Sequence, residues 1–141
     1  MPATRSALSA EEAAHARVSI RRYAPDPITR EELEALLAAT TQSPSAYNLQ
    51  PWRFVVVLDT DLKARLAEAA YRQPQVTGAP AIIVLYTDMQ DVLAHLDDIA
   101  HPGMDPEQRE RLKATAQRAY GGLAPEAREA FGATQGGIAL G

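Results

Sequence analysis

Three stretches of the chain carry side chains whose types and spacing could do chemistry. The first is Arg17-Val-Ser-Ile-Arg-Arg-Tyr23. If it runs extended, alternate side chains point the same way, so Arg17, Ser19 and Arg21 project to one side. Two planar guanidinium forks around a hydroxyl form a seat for a phosphate, because arginine donates paired, charge-assisted hydrogen bonds to such oxygens. A solvated basic patch at a helix C-terminus has the same composition. The second stretch is Ser43-Pro-Ser-Ala-Tyr-Asn-Leu-Gln-Pro-Trp52, where two prolines, two serines and an asparagine fix a loop dense in hydrogen-bonding groups. A loop at the mouth of a strand either serves a ligand or caps the sheet. Its Trp52, the one tryptophan, is a core anchor. The third is His95-Leu-Asp-Asp-Ile-Ala-His101, with His95 and Asp98 on one helical face. Divalent metal sites have this look, but the wet side of an amphipathic helix produces it more often, and no metal is expected.

Other chemistries are excluded. The chain has no cysteine, which removes thiol catalysis, cysteine-ligated zinc, iron–sulfur ligation and disulfides. It has neither a G-x-S-x-G nucleophile elbow nor a glycine-rich phosphate loop after a strand.

The elements that must position these residues are partly written in local signals. Ser9-Ala-Glu-Glu12 and Thr29-Arg-Glu-Glu32 are capping boxes, and Ile28 with Leu33 occupies staple positions. Leu33, Leu36 and Leu37 then form an apolar stripe. Asp88 opens a helix with Val92, Leu96 and Ile99 on one face. Asp105-Pro-Glu-Gln108 starts another, with proline at the first helical position, running to Tyr120 and stopping at Gly121-Gly122. Further helices are expected over 61–71, with Leu62, Leu66 and Ala69 inward, and over 126–140. The runs 53–58 and 81–86 are β-branched and apolar without alternation, so two strands are expected, each buried on both faces. Two strands alone do not make a stable sheet. Either this is a complete small domain that dimerises, or further strands belong to it; the second reading is favoured. Interior glycine costs a helix about 1 kcal/mol against alanine, so Gly132, Gly136, Gly137 and Gly141 point to close backbone approach, plausibly to a partner subunit, or to local flexibility.

At 141 residues, 46% hydrophobic and 23% charged, the composition is that of one globular domain. A net charge of −4 leaves no basic footprint for nucleic acid or an anionic membrane. The early residues lack the apolar core of a secretory signal, and no apolar run approaches membrane-spanning length, so a cytoplasmic location is expected.

Taken together, Arg-x-Ser-x-Arg-x-Tyr, then Thr29-x-x-Glu32-Leu, then Ser-Pro-Ser-Ala-x-Asn-x-Gln-Pro-Trp-x-Phe resembles the nitroreductase family in order and spacing over 17–58. Ala79-Pro-Ala-Ile-Ile-Val is similar to the family's next strand. The resemblance implies an α+β fold, a mixed β-sheet flanked by helices on both faces, cut short at the C-terminus, with residues 1–141 as one incomplete FMN-binding domain. It implies a homodimer with flavin at the subunit interface. Arg17 and Ser19 match the family's phosphate contacts, and Arg21 matches a basic residue at the pyrimidine edge of the flavin. Pro44, Ser45 and Asn48 match loop positions that touch the flavin from the second subunit, and Gln73 and Gln75 lie where polar side chains meet the ring. The activity implied is passage of hydride from NAD(P)H through flavin N5 to a nitroaromatic or quinone, with no obligatory acid or base and hence no catalytic side chain. A non-catalytic dimerisation or ligand-binding module of the same fold, or a flavin enzyme with a different reaction, stays open as an alternative.

Overall fold

The computed structural model describes residues 8–140. Four helices begin where the sequence writes a cap, at Ser9, Thr29, Asp88 and Asp105. In α1 (Ala10–Ala16) and α2 (Arg30–Thr40) the Ser9 and Thr29 hydroxyls each accept the third-position amide while Glu12 and Glu32 reach back. In α6 (Pro106–Ala116) Asp105 and Gln108 do the same. These reciprocal bonds satisfy amides that have no partner inside the helix. The remaining helices are α3 (Thr60–Ala69), α4 (Pro74–Gly78), α5 (Met89–Ala94) and α7 (Pro125–Leu140). After α6 the chain widens into a π turn, Gln117–Gly121, and stops at the expected glycines.

The two strands, β1 (Trp52–Val57) and β2 (Ile82–Thr87), pair antiparallel with Trp52 opposite Thr87 and Val57 opposite Ile82. Helix α7 lies on the face that carries Leu85 and Thr87. It comes close because Gly132 and Gly136 have no side chain there: a Cβ at Gly136 would stand 2.9 Å from Leu85 Cδ2. The close approach expected of Gly132 and Gly136 is thus met within the chain itself, against β2 and Met89. Gly137 faces open space, and Gly141 lies outside the described residues. The strands are not buried on both faces. Val55 and Tyr86, on the face away from α7, are about half exposed, so uninterrupted apolar runs misstate how much of this sheet is covered.

The largest buried cluster lies beside the sheet. Leu49, Met89, Val92, Leu96, Ile99 and Ala116 form it, with Leu112, Tyr120 and Phe131 packed against it. Burying one such side chain is worth about 1.5–3 kcal/mol. Val92, Leu96 and Ile99 share this core as expected, but not on one helix. The α5 helix ends at Ala94, and a separate 3-10 turn, Leu96–Ile99, carries the last two inward. In α3 the expected inward face is displaced: Lys63 and Ala67 are buried while Leu62 and Ala69 are exposed. Lys63 lays its methylene stem in the interior and donates from Nζ to the Ala79 carbonyl at 2.9 Å. Leu36 of the α2 stripe is likewise half exposed, whereas Leu33 is buried.

Candidate functional site

The segment after α1 carries the expected phosphate donors. Arg17 is the C-cap of α1 with extended backbone, and every residue from 8 through 27 is exposed. The arginine ion pairs among the described residues belong to Arg30, Arg53, Arg72 and Arg111. The guanidinium groups of Arg17 and Arg21, with the Ser19 hydroxyl, therefore face outward with donors to offer an anion. This donor set has the right chemistry for a phosphate.

The 43–52 loop is organised from within. It enters a 3-10 turn, Ala46–Asn48, in which Tyr47 (φ 53°) and Asn48 (φ 58°) adopt left-handed backbone, and Gln50 (φ 44°) follows. Non-glycine residues hold such geometry only where their surroundings over-determine it. Here the Gln50 amide donates to Ser45 Oγ at 3.0 Å, and Gln50 Nε2 donates to Asn48 Oδ1 at 3.0 Å. Asn48 Nδ2 donates to the Ile99 carbonyl at 2.8 Å, and Leu49 is only 1% exposed. Tyr47 meets Tyr120 edge-on with ring centroids 6.0 Å apart, and Tyr120 stacks on Phe131 at 4.4 Å. Ser45 and Asn48 thus shape the loop, while Pro44 is exposed at its rim. Trp52 is buried, as an anchor should be.

Gln73 caps α4 without a side-chain bond to it, and Gln75 donates from its amide to the Gln73 side chain. This pair sits just beyond a tight turn with left-handed Tyr71 and Arg72. No hydrogen bond or ion pair among the described residues joins the Arg17 segment, the 43–52 loop and the glutamine pair.

A groove of about 390 Å³ runs beside the loop, bounded by Asn48, Gln50, Arg53, Asp91, His95 and Asp98 among others. Sequence reasoning missed its central triad. Arg53 Nη2 pairs with Asp91 Oδ2 at 2.5 Å, and this hydrogen bond holds the Asp91 carboxyl below the usual range despite partial desolvation. His95, at the break after α5, turns Nδ1 to the Asp91 carbonyl (2.9 Å) and carboxylate (3.1 Å). The carbonyl and then the carboxylate charge raise its pKa. Among the described residues no group of three or more His, Asp or Glu side chains is placed to hold a metal ion.

Gln135 was missed as well. It is 6% exposed in α7, and its Oε1 accepts the Ala46 amide at 2.8 Å. The signal was one polar residue inside a small-residue stripe at helical spacing: Gly132, Gln135, Gly136 and Ala139 are the buried residues of α7.

Comparison with known proteins bears on what this arrangement serves. The family model described as "Nitroreductase family" matches residues 14–128. The chain is 48% identical over all 141 residues to an NADH dehydrogenase of Thermus thermophilus, spanning 69% of that protein. It is 30% identical over 81 residues to an FMN reductase (NAD(P)H) of Bacillus subtilis, a match covering 57% of this chain and 32% of that one. In three dimensions it superposes with TM-score 0.80 on a structure from Exiguobacterium sibiricum assigned to the nitroreductases and solved in complex with FMN. That match is 30% identical and covers 96% of this chain and 68% of the other. The fold is therefore the one shared by these proteins, and the described residues contain no helix long and apolar enough to cross a membrane.

Proposed function

This chain belongs to the nitroreductase family, and from that premise we propose that it is an NAD(P)H-dependent FMN oxidoreductase working as a cytoplasmic homodimer with electron-poor nitroaromatics or quinones as acceptors. The observation that carries this reading is the outward-facing pair of Arg17 and Ser19, which fits the dianionic phosphate of FMN, with exposed Arg21 left to meet the ring. The full-length similarity to an NADH dehydrogenase and the superposition on an FMN complex support it.

When bound, FMN would supply the redox chemistry, relaying a hydride between NAD(P)H and the acceptor. The chain supplies position and charge. Arg17 and Ser19 hold the phosphate oxygens. Arg21 places positive charge at the pyrimidine edge, where it favours electron density added to the ring. Pro44, Ser45 and Asn48 belong to a loop contributed from the second subunit. Ser45 and Asn48 keep that loop in its left-handed form. Gln73 and Gln75 offer side-chain amides toward the ring. No side chain needs to donate or remove a proton for hydride to move.

The test is direct. The purified protein is supplied with FMN, then with NADH or NADPH and a quinone. A yellow protein whose NAD(P)H oxidation depends on FMN is expected. Colourless protein that ignores added FMN would instead mark a binding or dimerisation module.

A further inference from the structure

We propose that Gln135 is a positioning residue: through the Ala46 amide it fixes the limb of the 43–52 loop that carries Pro44 and Ser45 for its contact with the flavin. This rests on the flavin reading above. Ala46 opens the 3-10 turn, so its amide has no partner within that turn. Its partner comes from 89 residues away, the Gln135 side chain at 2.8 Å. The acceptor has a fixed place. Gly132 and Gly136, on either side of Gln135 along the same face of α7, seat the helix against Met89, Thr87 and Leu85. The bond is also largely shielded from water, Gln135 being 6% exposed, so no solvent molecule readily replaces it.

The rest of the loop is held elsewhere. Asn48 ties the middle of the loop to the Ile99 carbonyl, and Leu49 is sunk in the core. The Ser45 hydroxyl is used internally, accepting the Gln50 amide. The Pro44–Ser45 limb has its side-chain tie to the body of the protein at Ala46, through Gln135. A buried glutamine in a stripe of glycine and alanine is otherwise a poor choice, because an apolar residue would fill the place without burying an amide. Holding a strained loop in one arrangement accounts for it.

Three variants of the full protein separate this role from a structural one. Q135M keeps the shape and loses the acceptor, Q135N keeps the amide but is too short to reach Ala46, and Q135E keeps an acceptor oxygen. Exchange of the Ala46 amide, followed by NMR without ligand, reads the bond itself. FMN affinity and the visible circular dichroism of bound flavin read its consequence. Q135M and Q135N are expected to exchange Ala46 faster, to bind FMN about tenfold more weakly, and to alter the flavin dichroism. Q135E is expected to recover most of each. Unchanged Ala46 exchange overturns the proposal, and so does faster exchange with parental FMN affinity and dichroism. Loss of folding in both Q135M and Q135N overturns it too, since the glutamine would then serve the core. A parent protein that binds no FMN sinks the flavin reading, and this role falls with it.

Discussion

Replacing Gly132 and, separately, Gly137 by alanine tests the seating of α7 that the site depends on. Both glycines lie inside the helix, where alanine is favoured by about 1 kcal/mol. On propensity alone the two changes should stabilise equally. Their surroundings differ. A Cβ at Gly132 would lie 2.8 Å from Met89 Cγ and 3.1 Å from Thr87 Oγ1. Met89 is 0% exposed and Cγ is midway along its side chain, so it has nowhere to swing. Forcing a methyl group into such a place costs about 1–3 kcal/mol, which outweighs the propensity gain by up to about 2 kcal/mol. At Gly137 nothing lies within 4 Å of the added Cβ, so the full gain of about 1 kcal/mol should appear. Chemical denaturation of the two variants beside the parent should therefore place G132A below it and G137A above it, about 1–3 kcal/mol apart. In thermal melts each kcal/mol should move the midpoint by about 4 °C. If G132A proves as stable as G137A, α7 does not pack against β2 in the way described, and the placement of Gln135 fails with it.

Two further predictions concern the loop and the groove. Asn48→Ala removes the bond to the Ile99 carbonyl and puts alanine at φ 58°, so stability should fall by about 1–3 kcal/mol. N48G should recover the backbone part alone, and an N48A variant that unfolds like the parent would show the loop is not anchored there. His95 should titrate above its ordinary 6.5 when followed by NMR, and Asp91→Asn, which removes the carboxylate but keeps the carbonyl, should lower it part of the way. Because its folded pKa is raised, its contribution to stability is full below about pH 6.5 and fades as pH rises through the folded value. Asp91 behaves oppositely: its contribution is present above about pH 3.8 and is lost as pH falls through its lowered folded pKa. A His95 that titrates at or below 6.5 would contradict the pairing.

What was legible in the sequence was what neighbours in sequence decide. The two capping boxes at Ser9 and Thr29 and the N-cap at Asp105 formed as written, because each closes within a single helical turn. Both strands fell within one residue of expectation, since β-branched runs bounded by turns leave few alternatives. Facing was harder to read. Lys63 turned inward because its stem is apolar and its charged end found the Ala79 carbonyl, a partner fixed only by the tertiary fold. His95 interrupts what read as one helix, placing Leu96 and Ile99 on a separate turn. Gln135 stood out as the one polar residue of its stripe, but its role could not be read because its partner is distant in the chain. At the candidate site, spacing proposed Arg17, Ser19 and Arg21 as a phosphate seat, and the family resemblance gave them their flavin roles. Their relation to the loop at Ser45 and Asn48 is a matter of tertiary or subunit arrangement, and alternation within one segment says nothing about it.

Arg17 and Ser19 are proposed to hold the phosphate of FMN, and riboflavin, which lacks that phosphate, is the natural control. Titrating the protein with each flavin should show FMN bound more tightly by a margin of about 1.5–3 kcal/mol per charge-assisted contact, roughly tenfold or more, with Arg17→Ala removing most of that margin. Equal affinity for the two flavins, or an FMN preference that survives in R17A, would contradict it.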